Sequence, residues 1–123
     1  MSRSLAGKRL LILEDDYFVA SDLAAWLENQ GAEVVGPVGS VADAFLLING
    51  EETELHGAIL DVNLTGERSF PIAEALHGRS VPFLFVTGYE ASAIPEPYRS
   101  NERMEKPVHK PQLLRLLEQL VVT

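Results

Sequence analysis

Acidic residues directly follow two of the most apolar runs in the sequence. Glu14 and Asp15 come after LLIL, and Asp61 comes after GAIL. A carboxylate at the tip of an apolar strand costs desolvation energy unless something compensates it. If the fold gathers these three groups in one crevice, we expect a raised pKa or a bound hard cation such as Mg²⁺. A carboxylate is also a competent nucleophile for phosphorus.

A hydroxyl and an ammonium group follow two later strand candidates, of which the second is a poor strand by composition. Thr87 comes after VPFLFV, and Lys106 comes after RME. A phosphoryl group in transfer carries charge on its equatorial oxygens, and a divalent metal, a lysine and a hydroxyl donor stabilise that charge. Together with Asp15 and Asp61, these two residues would supply such a set.

Short apolar runs alternate with helical patterns along the chain, and this predicts strands joined by helices. The predicted strands are 8–13, 32–36, 57–60, 81–86 and 103–106. The predicted helices are one between Asp16 and Gly31, then 41–49, 70–78, 89–94 and 112–122. Five of each predict an α/β fold with a doubly wound parallel sheet in three layers. Such sheets place their sites beyond the carboxyl ends of the strands, where all five candidate residues should meet.

Other polar and aromatic residues are expected to serve the structure. Asp16 suits a helix N-cap, and Ser40 three residues before Asp43 resembles a capping arrangement. The three histidines have no metal-ligand spacing and are predicted to be structural or surface residues: His56, His77 and His109. The aromatic residues of the first helix, Tyr17 and Trp26, are predicted to pack against the rest of the protein.

Composition restricts the possible partners. The 123 residues fit a single domain over 1–123, with 1–7 as a flexible N-terminal segment. The formal net charge of −8 argues against nucleic acid or an anionic membrane as the main partner. No cysteine is present, so neither disulfides nor thiolate chemistry is available. We expect a cytoplasmic protein that is a monomer or a weak dimer.

Four stretches together resemble the receiver domain of two-component response regulators over essentially the whole chain. They are LLILEDD, GAILDVNL, FLFVTGY and EKPV, and they occur in the order of that family. The resemblance implies a flavodoxin-like sheet with strand order 2-1-3-4-5. PFLFVTGY also resembles a subgroup with a Phe-Ala-Thr-Gly run, with Val86 in place of the alanine.

The resemblance implies a role for each matching residue. Asp61 would be the phosphoacceptor, and the cofactor would be Mg²⁺ or Mn²⁺. Asp15 would bind the metal directly, with Glu14 as its outer-shell partner and the Asn63 backbone carbonyl as a further ligand. Thr87 would be the hydroxyl residue that closes on the phosphoryl group, and Lys106 would be the lysine that pairs with that group. Pro107 would be the proline whose preceding peptide bond is typically cis in this family.

Several positions depart from the family pattern. Arg103 stands where many receivers carry the aromatic residue that swings inward, and Tyr89 is the candidate to replace it. Thr65 stands where proline is common, and Arg68-Ser69 where Asp-Gly is common. These departures concern the conformational response more than the chemistry.

The leading hypothesis is a stand-alone receiver in two-component signalling or a phosphorelay. The phosphodonor would be a histidine kinase or a histidine phosphotransfer protein, and phosphorylation would switch binding of a downstream protein. Self-phosphorylation and slow self-dephosphorylation are expected rather than ordinary enzymatic turnover. One alternative is a receiver-fold interaction module that is never phosphorylated. A remote alternative is a haloacid-dehalogenase-type phosphatase, because DVNLT at 61–65 resembles its nucleophile loop, with Asn63 in place of the general acid.

Overall fold

A computed structural model describes residues 4–50, 54–88 and 103–121. Its main sheet is parallel and contains five strands: β1 (Arg9–Leu13), β2 (Glu33–Val38), β3 (Gly57–Asp61), β6 (Phe83–Thr87) and β7 (Arg103–Glu105). A separate antiparallel pair follows β3 in the chain and consists of β4 (Asn63–Leu64) and β5 (Glu67–Arg68). The described helices are α1 (Tyr17–Asn29), α2 (Val41–Ile48), α3 (Phe70–Gly78) and α4 (Lys110–Val121).

The order of the main sheet is β2-β1-β3-β6-β7. Counting only these five strands, this is the predicted order 2-1-3-4-5, and the predicted doubly wound fold is confirmed. The predicted helix over 89–94 lies outside the described residues. No helix within the described ranges combines the length and the apolar character that crossing a membrane would require.

Helices cover both faces of the sheet, which explains the continuously apolar strands. Leu11 and Leu13 of β1 lie in a cluster with buried residues of α2 and α3. Leu10 and Ile12, which point to the opposite face, lie in a second cluster with buried residues of α1 and α4. Since successive side chains of a strand alternate between faces, a strand covered on both sides must be apolar at every position.

Two helix starts form as predicted. The Asp16 carboxylate accepts hydrogen bonds from the backbone N–H groups of Phe18 and Val19 at 3.0 and 3.1 Å. The Ser40 hydroxyl accepts one from Asp43 N–H at 3.1 Å. Asp16 therefore caps α1, and this structural role distinguishes it from Glu14 and Asp15.

The end of the second strand and the packing of the N-terminal segment both differ from expectation. β2 continues to Val38, past the cis Gly36–Pro37 bond, because an edge strand tolerates a proline on its outer side. The segment expected to be flexible includes Leu5, which is fully buried in the α1/α4 cluster. The backbone N–H of Gly7 also donates to the Gly31 carbonyl at 3.1 Å.

The aromatic residues of α1 behave differently from one another. Trp26 packs against the α1/α4 cluster, as predicted. The prediction that Tyr17 packs is wrong, because its side chain is at the first position of the helix and is 75% exposed. It meets only the equally exposed ring of Phe18 edge-on among the described aromatic residues, at 5.7 Å between ring centroids.

Candidate functional site

The carboxyl ends of four parallel strands bring the predicted residues to one edge of the sheet. Glu14 follows β1, Asp61 ends β3, Thr87 ends β6 and Lys106 follows β7. Glu14, Asp61 and Thr87 are buried, although all three are polar. Burial of polar groups is costly unless they have partners, so this edge of the sheet is built around their interactions.

Lys106 joins the two buried carboxylates. Its Nζ donates to Glu14 Oε1 at 2.7 Å and to Asp61 Oδ2 at 3.0 Å. Its backbone N–H donates to the Thr87 carbonyl at 2.9 Å, and its bond to Pro107 is cis. One ammonium thus neutralises part of the charge of two carboxylates, each less than a tenth exposed.

Glu14, Asp15 and Asp61 form a cluster of potential metal ligands. One carboxylate oxygen from each residue lies within 4.8 Å of the others. Within the described part of the chain, no other group of three or more acidic, histidine or cysteine residues is arranged in this way. Three carboxylates against one lysine leave excess negative charge, and their hard oxygen atoms fit Mg²⁺ or Mn²⁺. The residues present therefore fit the cation that the family implies.

Burial and, to a smaller extent, the neighbouring Asp61 carboxylate raise the pKa of Glu14 from 4.5 to about 7. The Lys106 ammonium acts in the opposite direction and lowers the pKa, but it does not cancel the rise. The proton on Glu14 is therefore held more tightly in the folded protein than in the unfolded chain.

This shift predicts the pH dependence of stability. Because the folded protein binds the Glu14 proton more tightly, the metal-free protein should lose stability as pH rises from about 4.5 to about 7. We expect the free energy of unfolding to fall by about 2 kcal/mol over this range. Urea unfolding at a series of pH values, with a chelator present, measures it. Glu14→Gln should remove the slope, and identical slopes in the two proteins would contradict the assignment.

Asp15 is exposed, and its carboxylate is held by Thr65, which was not among the site residues predicted from the sequence. Thr65 donates to Asp15 Oδ2 from its hydroxyl at 2.6 Å and from its backbone N–H at 2.7 Å. These bonds stabilise the ionised form and lower the pKa of Asp15 despite its partial burial. Since the two residues are fifty positions apart, no local sequence pattern predicts this contact.

The remaining predicted site residues are placed as follows. The backbone N–H of Asn63 donates to Asp61 Oδ1 at 3.3 Å, and the Asn63 side chain accepts from Arg68. Arg103 is exposed at the first position of β7. Tyr89 lies outside the described residues. The role of each residue stays a prediction.

Comparison with known proteins identifies the fold and the family. Neither protein-family models nor curated protein sequences match the chain, but solved structures match along nearly its whole length. SdrG from Sphingomonas melonis Fr1 is 35% identical, with a TM-score of 0.77, over 99% of this chain and 100% of SdrG. The BeF3-activated conformation of SdrG from Pseudomonas melonis Fr1 is 34% identical over 96% of this chain and 98% of that chain, with a TM-score of 0.78.

A CheY-like response regulator receiver domain protein from Methanospirillum hungatei JF-1 is 24% identical over 93% of each chain, with a TM-score of 0.79, and supports the fold alone. The sheet order and the acidic pocket at its carboxyl edge define a CheY-like receiver. The chain belongs to the receiver domains of response regulators in two-component signalling, and it is similar to SdrG over its whole length.

Proposed function

We propose that this receiver accepts a phosphoryl group on Asp61 from a phosphohistidine and that phosphorylation switches binding of a partner. The observation that carries the proposal is the buried Asp61 carboxylate, held by Lys106 at the carboxyl edge of the sheet beside two further acidic residues. Unneeded buried carboxylates are costly, so their retention is best explained by a chemical role.

The reaction requires one bond to form and one to break. A carboxylate oxygen of Asp61 attacks phosphorus, the P–N bond of the phosphohistidine breaks, and the imidazole leaves with the bonding electrons. Lys106, which already donates to Asp61, is placed to neutralise charge on the phosphoryl oxygens. The buried Thr87 would donate its hydroxyl to the same group.

A divalent cation, when bound, would stabilise the charge on the transferring group and neutralise the cluster. Asp15 and Asp61 would hold it directly, together with the Asn63 carbonyl, and Glu14 would act from the outer shell. The fit of this oxygen-rich cluster to Mg²⁺ supports the assignment.

The relative SdrG supports a response to phosphorylation. One of its solved structures is described as BeF3-activated. A beryllium fluoride anion mimics a phosphoryl group on a carboxylate, so we infer a phosphoryl-responsive site in this chain as well. We propose that the donor is a histidine kinase or a histidine phosphotransfer protein and that the reaction occurs in the cytoplasm.

The experiment that tests the proposal is intact-mass measurement after incubation with acetyl phosphate. A single phosphoryl adduct is expected with Mg²⁺, and none with a chelator. If no adduct forms, even with a mixture of histidine kinases and ATP, the chain is better explained as a receiver-fold binding module. The phosphatase alternative is not retained, because the fold and the family are those of receivers.

A further inference from the structure

The β4–β5 pair and its turn form a strap, residues 63–68, that contacts two members of the acidic cluster, Asp61 and Asp15. At one end, the Asn63 N–H donates to Asp61 Oδ1 at 3.3 Å. At the other end, Glu67 Oε2 accepts from Val41 N–H, at the start of α2, at 2.9 Å. The strap is therefore tied to the sheet and to a helix independently of the residue at its tip.

The turn at the tip of the strap presents Thr65 to Asp15. Gly66 has φ +77°, a left-handed conformation that glycine adopts without strain, and it lets the chain reverse in two residues. The reversal places both the hydroxyl and the backbone N–H of Thr65 on the same carboxylate oxygen, Oδ2. Two donors on one oxygen atom restrain the torsion angles of the exposed Asp15 side chain.

Thr65 uses only one of the two oxygen atoms of Asp15. A carboxylate can bind a divalent cation through a single oxygen, so the contact with Thr65 and a bound cation are compatible. Hydrogen bonds that orient a metal-ligating carboxylate generally strengthen metal binding. The geometry thus favours a supporting role for Thr65 over competition with the cation.

We propose that Thr65 is a positioning residue that holds Asp15 in the orientation needed for cation binding. The proposal rests on the proposed cation-dependent function. The proposal also gives a reason for threonine instead of the common proline at position 65, because proline has neither a hydroxyl nor a backbone N–H to donate.

Calorimetric titration with Mg²⁺ tests this on the wild type, Thr65→Val and Thr65→Ser. Valine keeps the shape and the backbone N–H but lacks the hydroxyl, and Mg²⁺ affinity is expected to fall by about tenfold. Serine restores the hydroxyl and is expected to restore most of the affinity. The melting temperatures of the metal-free proteins, measured in chelator, should be similar in all three.

The outcomes are distinguishable. Weaker binding by Thr65→Val, with recovery by Thr65→Ser and unchanged melting temperatures, supports the proposal. Equal affinity of Thr65→Val and a binding wild type overturns it and leaves the proposed function intact. Tighter binding by Thr65→Val also overturns it, since Thr65 would then compete with the cation. A wild type that binds no Mg²⁺ overturns both this proposal and the cation requirement of the proposed function.

Discussion

Asp61→Asn is expected to abolish the phosphoryl adduct formed with acetyl phosphate and Mg²⁺. Asparagine has nearly the same shape, but its neutral amide lacks the nucleophilic carboxylate oxygen that forms an acyl phosphate. The variant should still fold, because the amide oxygen can replace Oδ2 as the acceptor for Lys106, and only the longer bond from Asn63 N–H to Oδ1 is lost. Intact mass before and after incubation reads the result directly.

The matched control for this experiment is Asp16→Asn. Asp16 also lies beside the acidic cluster, but its carboxylate caps α1. Asparagine caps helices as well as aspartate does, so stability and adduct formation should both match the wild type. An adduct on Asp61→Asn, or its loss in Asp16→Asn, would place the nucleophile elsewhere.

Lys106→Met is expected to destabilise the metal-free protein by about 3 kcal/mol at about pH 8. Methionine keeps an unbranched apolar chain but removes the only charge that joins Glu14 to Asp61 among the described residues. Two buried carboxylates are then left facing each other, and an uncompensated buried charge is costly. Chemical unfolding in chelator measures the change in the free energy of unfolding.

Two comparisons separate this effect from the general loss of a lysine. Lys110→Met removes a more exposed ammonium, 3.0 Å from the exposed Asp22, and should cost no more than about 1 kcal/mol. Mg²⁺ should recover part of the stability of Lys106→Met, because the cation replaces the missing positive charge. Equal destabilisation by both substitutions would show that the buried ion pairs carry little weight.

The sheet and most of the site could be predicted because they follow from periodic and positional rules. An apolar run such as LLIL shows that its strand is covered on both faces, and alternation with helices sets the parallel arrangement. Asp61, Thr87 and Lys106 were then located by the rule that sites lie beyond the strand ends. Glu14 and Lys106 are 92 positions apart in the sequence, and the parallel topology is what predicts that they lie close together.

The strap could not be predicted, because its strands contain only two residues each and leave no period to detect. The contact of Thr65 with Asp15 depends on how the turn is aimed, and residue types alone do not specify that. The exposure of Tyr17 was missed for a similar reason. Tyr17 is the first residue of α1, where an amphipathic pattern is least informative.

The two edges of the main sheet limit how another protein can bind. β2 forms one edge and contains Pro37, which has no N–H to offer to an added strand. β7 forms the other edge and contains three residues within the part of the chain that the structure describes. An incoming peptide would find little backbone to pair with at either side, so strand addition is a poor route to complex formation. Partners are therefore expected to read side chains on the helices and loops, where sequence can diverge between receivers without disturbing the sheet.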